Sequence, residues 1–351
     1  MRSQSLIISG VAALLLSTVV GNGQQLQIAD AKLDQSSSSA GLKAAIASAT
    51  EHDSGASWIG YDVPAVPDSQ GKGHHGWNYC SADLEEGRNI TNDAGALTEP
   101  SDRSILIFLR TEQQRIEKVR MFDSGCQVDA DGMTVHWLTS VRPAESVELL
   151  TAFVRGDGGN DERHSRGAAL AAIASTDDPA ADAAMQEFTS ASSLTDTRKE
   201  AVFWLGAARG RKGYEMLKNI VKLDPSDDVR DRAIFALSVS PVPDAVDTLI
   251  DEARHDPNTR VREQALFWLA QKAGAKAAGV IGSAAENDPD TEVKKKAVFA
   301  LSQLPADQGV PMLINVAQTN RNPEVRKQAM FWLGQSRDPR ALDFITRVLL
   351  N

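Results

Sequence analysis

The feature that most constrains this chain is an internal repeat in its C-terminal part, with a constant period of 32 positions. An apolar residue that directly follows an alanine recurs at this spacing, with no insertion, at Leu170, Val202, Ile234, Leu266, Val298 and Met330. A basic residue lies four positions before each of them, at Arg166, Arg198, Arg230, Arg262, Lys294 and Arg326. A fixed period of this length is typical of proteins that stack many copies of one small unit.

Each repeat has room for two helices joined by short turns. Prolines precede the second helix by a few residues, at Pro225, Pro257, Pro289 and Pro323. A second helix over 228–239 places Val229, Ala233, Ala236, Leu237 and Ser240 within one apolar face. The first helices, predicted for example over 244–255 and 340–350, carry apolar stripes of their own. A lone helix pair cannot bury both stripes, so the repeats must stack.

The repeats resemble a known family. The motif Val-Arg-x-x-Ala-x-x-x-Leu is intact at Val229–Leu237, Val261–Leu269 and Val325–Leu333, and it resembles the HEAT repeats of the phycobilisome-lyase type. The resemblance covers roughly residues 144–351 and implies a mainly α fold, a right-handed α-solenoid of stacked HEAT-like helix pairs. The first unit departs from the motif at Ser165-Arg166, as a capping repeat would. The resemblance implies no particular activity.

The N-terminus predicts export. Arg2 precedes an apolar run over 6–20, and Gly21-Asn22-Gly23 offers small side chains for cleavage, so residues 1–23 are predicted to be a signal peptide. The run is shorter than the roughly 20 residues that a membrane-spanning helix needs. Residues 24–57 are rich in Ser, Ala and Gln and predict a flexible linker, with a short helix possible over 40–49. The N-terminal region is similar to that of exported bacterial HEAT proteins.

A small β-rich domain is predicted over 58–140. Trp58–Pro64 has the pattern of an edge strand that ends at a proline, and 105–110 with 115–122 predicts a hairpin. A further short strand is predicted over 134–138. Cys80 and Cys126 are the two cysteines of the chain, and export favours a disulfide between them. The repeats then occupy 143–351, as about six units and a terminal helix.

One recurring position of the repeats suggests a binding surface. Phenylalanines share a register about 200° from the buried alanine, which favours the concave surface of a solenoid: Phe203, Phe235, Phe267, Phe299 and Phe331. Amides lie four residues after three of them, at Gln271, Gln303 and Gln335. Rings and amides together suit an extended peptide. The alternative is that each ring packs against the next repeat, and we interpret Trp204, Trp268 and Trp332 first as core.

The basic ladder from Arg166 to Arg326 also has two interpretations. The guanidinium groups could bind carboxylates or phosphates of a partner. They could instead pair with acidic residues of the adjacent turns, at Asp227, Asp228, Asp256, Asp288 or Asp290, which recur with the same period. The structural interpretation is the more economical of the two.

Catalytic motifs are absent from the sequence, and no enzyme, cofactor or metal is predicted. His74, His75 and Cys80 make three candidate zinc ligands where four are needed. The resemblance includes HEAT-type hydroxylases that hold iron through His-Glu dipeptides, and this chain has none. The formal charge of -10 disfavours nucleic acid, and no membrane insertion is expected after signal cleavage.

The sequence therefore predicts a periplasmic or secreted scaffold that binds a protein or peptide. Two alternatives remain open. A ligand-binding or enzymatic site could lie in the β domain near His74, His75 and Trp77. The resemblance also permits an assembly or lyase-like role toward a cofactor protein.

Overall fold

The computed structural model describes residues 16–21, 24–67, 81–86, 104–124, 126–156, 162–272 and 274–350. The chain divides into two compact units. Met1–Ala65 and His75–Ala180 form the first unit, and Val66–His74 and Ala181–Asn351 form the second.

Within the described residues, the first unit contains two sheets. Its strands are β1 (Leu16–Gly21), β2 (Gln24–Ala29), β3 (Lys32–Ser37), β4 (Ser57–Pro64), β5 (Ser81–Asp83), β6 (Ser104–Glu112), β7 (Arg115–Asp123), β8 (Gln127–Asp129) and β9 (Thr134–Thr139). The sheets have the orders β1-β2-β8-β5 and β3-β9-β4-β6-β7. Because β4 lies between β9 and β6, the predicted edge position of this strand is wrong. Pro64 is the last residue of β4, where a missing N–H interrupts little of the ladder.

The β6–β7 hairpin confirms the prediction from the sequence, although both strands are longer than expected. Its turn consists of Gln113 and Gln114, with φ of 50° and 61°. Two consecutive left-handed residues are the signature of a type I′ turn, which matches the twist of the paired strands. The turn is therefore shorter than the polar segment 111–114 suggested.

The core of the larger sheet is aromatic. Trp58, Phe108 and Trp137 are almost completely buried, and the ring centroids of Phe108 and Trp137 lie 6.1 Å apart. Gly60 makes room for them, because a Cβ atom there would lie 2.8 Å from both of those rings. The larger aromatic residues of the β domain are thus structural.

The flexible linker predicted for 24–57 is wrong. This segment contains β2, β3 and a helix, α1 (Leu42–Ala49), which confirms the short helix expected over 40–49. β3 pairs in parallel with β9 over its whole length, so its backbone groups are satisfied despite the serine-rich sequence. Leu42 and Ala45 are buried and fix the helix in place.

Two further helices belong to the first unit. These are α2 (Pro143–Arg155) and α3 (Glu162–Ser175), which contain the first copy of the repeat register. α3 packs against β6 and β7, and the Ser165 hydroxyl accepts a hydrogen bond from the Val119 amide at 3.3 Å. The unit boundary consequently falls at Ala180, later than the start of the repeat pattern at residue 143.

The remaining helices form the second unit, apart from the first two residues of the earliest of them. They are α4 (Pro179–Thr189), α5 (Thr195–Ala208), α6 (Gly210–Leu223), α7 (Asp227–Val239), α8 (Asp244–His255), α9 (Thr259–Lys272), α10 (Gly274–Asn287), α11 (Thr291–Ser302), α12 (Ala306–Thr319), α13 (Pro323–Gln335) and α14 (Pro339–Leu350). α5, α7, α9, α11 and α13 contact one another in succession, as do α8, α10, α12 and α14. The prediction of stacked helix pairs that follow a β-rich region in the sequence is confirmed.

The repeats pack through small residues and buried ion pairs. Ala233 and Leu237 are fully buried, and Gly206 approaches so closely that a Cβ atom would lie 2.2 Å from the Ala236 carbonyl oxygen. Ion pairs of one constant sequence separation join Arg198 to Asp224, Arg230 to Asp256 and Arg262 to Asp288. Each of these aspartates also accepts a backbone N–H two residues later, which fixes the turn.

These pairs confirm the structural interpretation of the basic ladder for its central members. Asp256 and Asp288 are partners, as expected, whereas Asp228 pairs with Arg260 and Asp290 caps α11. The last member, Arg326, donates to the Asn320 carbonyl oxygen at 2.8 Å.

Candidate interaction surface of the repeats

The recurring phenylalanines lie along one layer of helices. Phe203, Phe235, Phe267 and Phe299 are partly exposed on α5, α7, α9 and α11, and Phe331 on α13 is 54% exposed. None of the five belongs to the fully buried core. Each ring therefore keeps part of its surface in solvent, which a purely internal packing role would not require.

The rings touch one another across the repeats. Phe203 and Phe235 stack with centroids 5.7 Å apart and planes inclined by 12°, and Phe267 and Phe299 stack at 6.1 Å and 5°. Trp268 lies between these pairs, 4.7 Å from Phe235 and 4.9 Å from Phe267. Contacts of this kind stabilise neighbouring rings by about 0.5–1.5 kcal/mol each. The phenylalanines and tryptophans form a continuous series, the aromatic ladder.

The three tryptophans are links of this ladder. Trp332 lies 5.1 Å from both Phe299 and Phe331, and Trp204 lies 4.9 Å from Phe203. Trp204, Trp268 and Trp332 are all partly exposed, as their position at the edge of the buried face implies, so they lie outside the fully buried core. Each ring contacts a phenylalanine of the ladder, and the indole nitrogen of Trp332 is buried.

The amides predicted beside the rings are exposed. Gln271, Gln303 and Gln335 each follow a ladder phenylalanine by four residues, the spacing that places two side chains on one helix face. The Gln303 amide donates to the Ser302 hydroxyl at 3.1 Å. Polar groups able to meet a peptide backbone therefore lie beside apolar rings.

Two cations complete the surface, and neither was predicted from the sequence. The Arg232 guanidinium carbon lies 4.7 Å from the Phe203 centroid and 5.2 Å from that of Phe235. The Lys296 ammonium lies 5.7 Å from the Phe299 centroid. The two cations are separated by two repeat periods, the same double period as the tryptophans, and this spacing was the signal that could have identified them.

Burial shapes the charges along this layer. It lowers the pKa of Arg232, an effect that the nearby Glu200 carboxylate opposes, and it lowers the pKa of Lys272. It also raises the pKa of Glu263, which the positive charge of Lys296 counteracts. Arg232 is therefore incompletely solvated, a state that an approaching anion would offset.

A second polar cluster lies in the first unit. His136 lies between two carboxylates, with Nδ1 3.3 Å from Asp34 and Nε2 3.1 Å from Asp53. The Ser57 hydroxyl donates to Asp53 at 2.6 Å and not to His136, so this is not the geometry of an activated nucleophile. A cavity of about 240 Å³ beside it is lined by Thr50, Glu51, Asp53, Gly55, Thr111, Glu112, Gln113 and Gln114.

The other sites that the sequence suggested fall on residues outside the described part. Cys126 is buried, but Cys80 lies outside, so the disulfide stays a prediction. His74, His75 and Trp77 lie outside as well. In the described ranges, no group of three or more His, Cys, Asp or Glu side chains is arranged to hold a metal ion.

Helix pairs that share one register and stack in succession define an α-helical repeat protein. Residues 183–270 and 278–351 match the HEAT repeats family, so this region of the chain consists of HEAT repeats. A search of curated protein sequences found no match.

The chain is similar to several solved structures. The phycocyanin lyase complex of CpcE and CpcF from Nostoc sp. PCC7120 is 21% identical, with 54% of this chain and 76% of that one covered and a TM-score of 0.31. Escherichia coli YibA is 21% identical, with 57% and 74% covered and a TM-score of 0.36. Human deoxyhypusine hydroxylase is 15% identical, with 57% and 74% covered and a TM-score of 0.30. Similarity at this level says nothing about activity.

No helix within the described ranges has both the length and the apolar character needed to cross a membrane.

Proposed function

We propose that this HEAT-repeat protein is a non-enzymatic scaffold that binds a protein or peptide segment along the aromatic ladder. The observation that carries the proposal is the continuity of partly exposed rings from Phe203 to Phe331. Aromatic side chains bury much area at little cost in side-chain entropy, and they are enriched where proteins bind one another.

The polar groups beside the ladder suit a peptide in particular. An extended segment presents alternating side chains and unpaired backbone amides. Rings on successive helices would contact the side chains, and the exposed amides of Gln271, Gln303 and Gln335 would meet the backbone. The spacing of the repeats thus offers several equivalent contacts along one line.

Replacement of the central rings tests the proposal. Peptides that bind the wild-type protein are selected from a random library displayed on phage. The affinity of each selected peptide is then measured for wild type and for the variant Phe235→Ser/Phe267→Ser/Phe299→Ser. We expect binding to fall by about 30-fold or more, since the loss of even one central aromatic contact typically costs about 2 kcal/mol. Circular dichroism and thermal melting establish whether the variant is folded.

A matched control removes apolar surface elsewhere. Leu194 and Leu223 are 75% and 77% exposed and lie outside the ladder, so Leu194→Ser/Leu223→Ser should bind like wild type. Equal binding by wild type and a folded ladder variant would refute the proposal. If the ladder variant unfolds, single Phe267→Leu and Phe299→Leu variants, which keep apolar volume, carry the same comparison.

Export is a further part of the proposal. It is supported by the basic and apolar pattern of residues 2–20 and the small residues at 21–23. Cleavage there would remove β1, an outermost strand of its sheet. Determination of the N-terminus after expression in a bacterium tests this: a start near residue 24 supports export, and a retained Met1 on protein in the cytoplasm contradicts it.

A further inference from the structure

The aromatic ladder is built from two equivalent halves. Phe203, Arg232 and Phe235 occupy the same registers as Phe267, Lys296 and Phe299, because each residue of the second set lies two repeat periods after its counterpart. Arg232 on α7 and Lys296 on α11 each lie three positions before a ladder phenylalanine. On these two helices the phenylalanine is followed by an alanine, Ala236 or Ala300, and not by a tryptophan. The pattern therefore alternates cation and tryptophan along the layer.

The two halves share a pair of stacked rings with a cation beside them, although Arg232 lies near both rings of its pair, at 4.7 and 5.2 Å, whereas Lys296 lies 5.7 Å from Phe299. In each half two phenylalanine rings stack nearly parallel, and the cation lies 4.7–5.7 Å from a ring centroid. A cation over an aromatic ring is attracted by the ring quadrupole, but the ring carries no negative charge. The cation can therefore still form an ion pair with an anion. Each half is thus an apolar platform with a positive group at its edge.

Among the described residues, no carboxylate lies within ion-pair distance of either cation, and the Arg232 Nε donates a hydrogen bond to the Lys199 carbonyl oxygen at 3.3 Å. Two acidic side chains act on them from a greater distance, Glu200 on Arg232 and Glu263 on Lys296. Glu200 accepts a hydrogen bond from the Trp204 indole at 3.1 Å, and burial raises the pKa of Glu263. By contrast, Arg198, Arg230 and Arg262 of the basic ladder each pair with a buried aspartate.

We infer that the ladder recognises an extended acidic peptide segment that carries two apolar–carboxylate units, one for each half. The inference rests on the proposed function and names the chemistry of its partner. α7 and α11 are two helix steps apart, about 16–20 Å at 8–10 Å for each step. An extended chain rises about 3.3 Å per residue, so the two carboxylates should be about six residues apart.

The test uses labelled synthetic peptides and fluorescence anisotropy. One peptide carries two Leu-Asp units about six residues apart, and matched peptides carry Leu-Asn or Leu-Lys instead. A labelled oligothymidylate tests the other anionic chain that rings and cations can bind. We expect the Leu-Asp peptide to bind about 10-fold more tightly than the Leu-Asn peptide, the combined effect of two exposed ion pairs. Added salt should reduce this preference.

The variant Arg232→Gln/Lys296→Gln should abolish the preference for Asp over Asn while leaving binding of the Leu-Asn peptide nearly unchanged. The control Lys212→Gln/Lys276→Gln removes two exposed cations on other helices and should keep the preference. A preference that survives in the Arg232/Lys296 variant overturns the inference, and so does tighter binding of oligothymidylate than of the Leu-Asp peptide.

Failure of the acidic specificity and failure of the scaffold function give different results. If all three peptides bind equally and the Phe235→Ser/Phe267→Ser/Phe299→Ser variant loses them, the acidic specificity is wrong and the scaffold function stands. If the peptides bind that variant as tightly as wild type, both the acidic specificity and the scaffold function along the ladder are wrong. If none of the peptides binds at millimolar concentration, the inference is overturned, and the phage selection decides the scaffold function separately.

Discussion

Glu252 on α8 carries a pH dependence of stability that can be worked out from its surroundings. The residue is 3% exposed, and its carboxyl group shares a hydrogen bond with the neighbouring carboxyl group of Asp256. Burial, reinforced by Asp256, raises the pKa of Glu252 from 4.5 to about 7. The Lys222 ammonium, 3.9 Å from Oε1, opposes the shift, but its side chain is 53% exposed and solvent screens it.

The sign and size of the effect follow from proton linkage. The folded state holds the proton of Glu252 more tightly than the unfolded state, so the free energy of unfolding falls as the pH rises from about 4.5 to about 7. The penalty is complete above pH 7. The rise of the pKa from 4.5 to about 7 corresponds to a ceiling of about 3.4 kcal/mol, and we expect about 1–3 kcal/mol after relaxation around the site.

The variant Glu252→Gln removes the ionisation and keeps the shape. We expect it to be about 1–3 kcal/mol more stable than wild type near pH 8 and nearly equal to it near pH 5, as measured by urea unfolding followed by circular dichroism. Glu215→Gln is the matched control, because that side chain on α6 is 54% exposed. A gain of equal size at both pH values, or no gain near pH 8, would refute the reasoning.

Two further predictions concern packing and buried charge. Gly206→Ala would place a methyl group against backbone of α7 and should cost about 2–4 kcal/mol in thermal or urea unfolding, whereas Gly334→Ala, which meets no atom within 4 Å, should be neutral or stabilising. Equal stability of the two variants would contradict the close helix approach. Arg262→Met strands the buried carboxylate of Asp288 and should cost about 3–5 kcal/mol. Lys276→Met, at a side chain 60% exposed, should cost under about 1 kcal/mol, and similar losses for both would show that the buried pair contributes little.

The sequence predicted the repeats well because their signal is periodic and local. An alanine-centred stripe, a proline before each second helix and a fixed spacing leave few ways to bury the apolar faces. The β-rich region was harder to predict. Residues 24–57 were misread as a linker because composition does not reveal that 32–37 pairs in parallel with 134–139, a partner about one hundred residues away.

The candidate surface shows the same division. The phenylalanine register could be read from the sequence, whereas the exposed fraction of each ring depends on how closely α5, α7, α9, α11 and α13 approach one another. Arg232 and Lys296 were missed because a lone basic residue on a helix usually faces solvent. Only the structure shows that each cation lies over an aromatic ring of the ladder.

The sequence alone determined the period, the helix pairs and the positions that must be buried, since these follow from hydrophobic spacing along one chain. The tertiary structure decided which partners the side chains meet. It placed Asp224, Asp256 and Asp288 against arginines of the basic ladder that come earlier in the chain, and it brought Trp268 of α9 against Phe235 of α7. The ion pairs join helix residues to later turns, and the contact of Trp268 with Phe235 joins two helices, so their distances depend on packing between elements that no local pattern encodes.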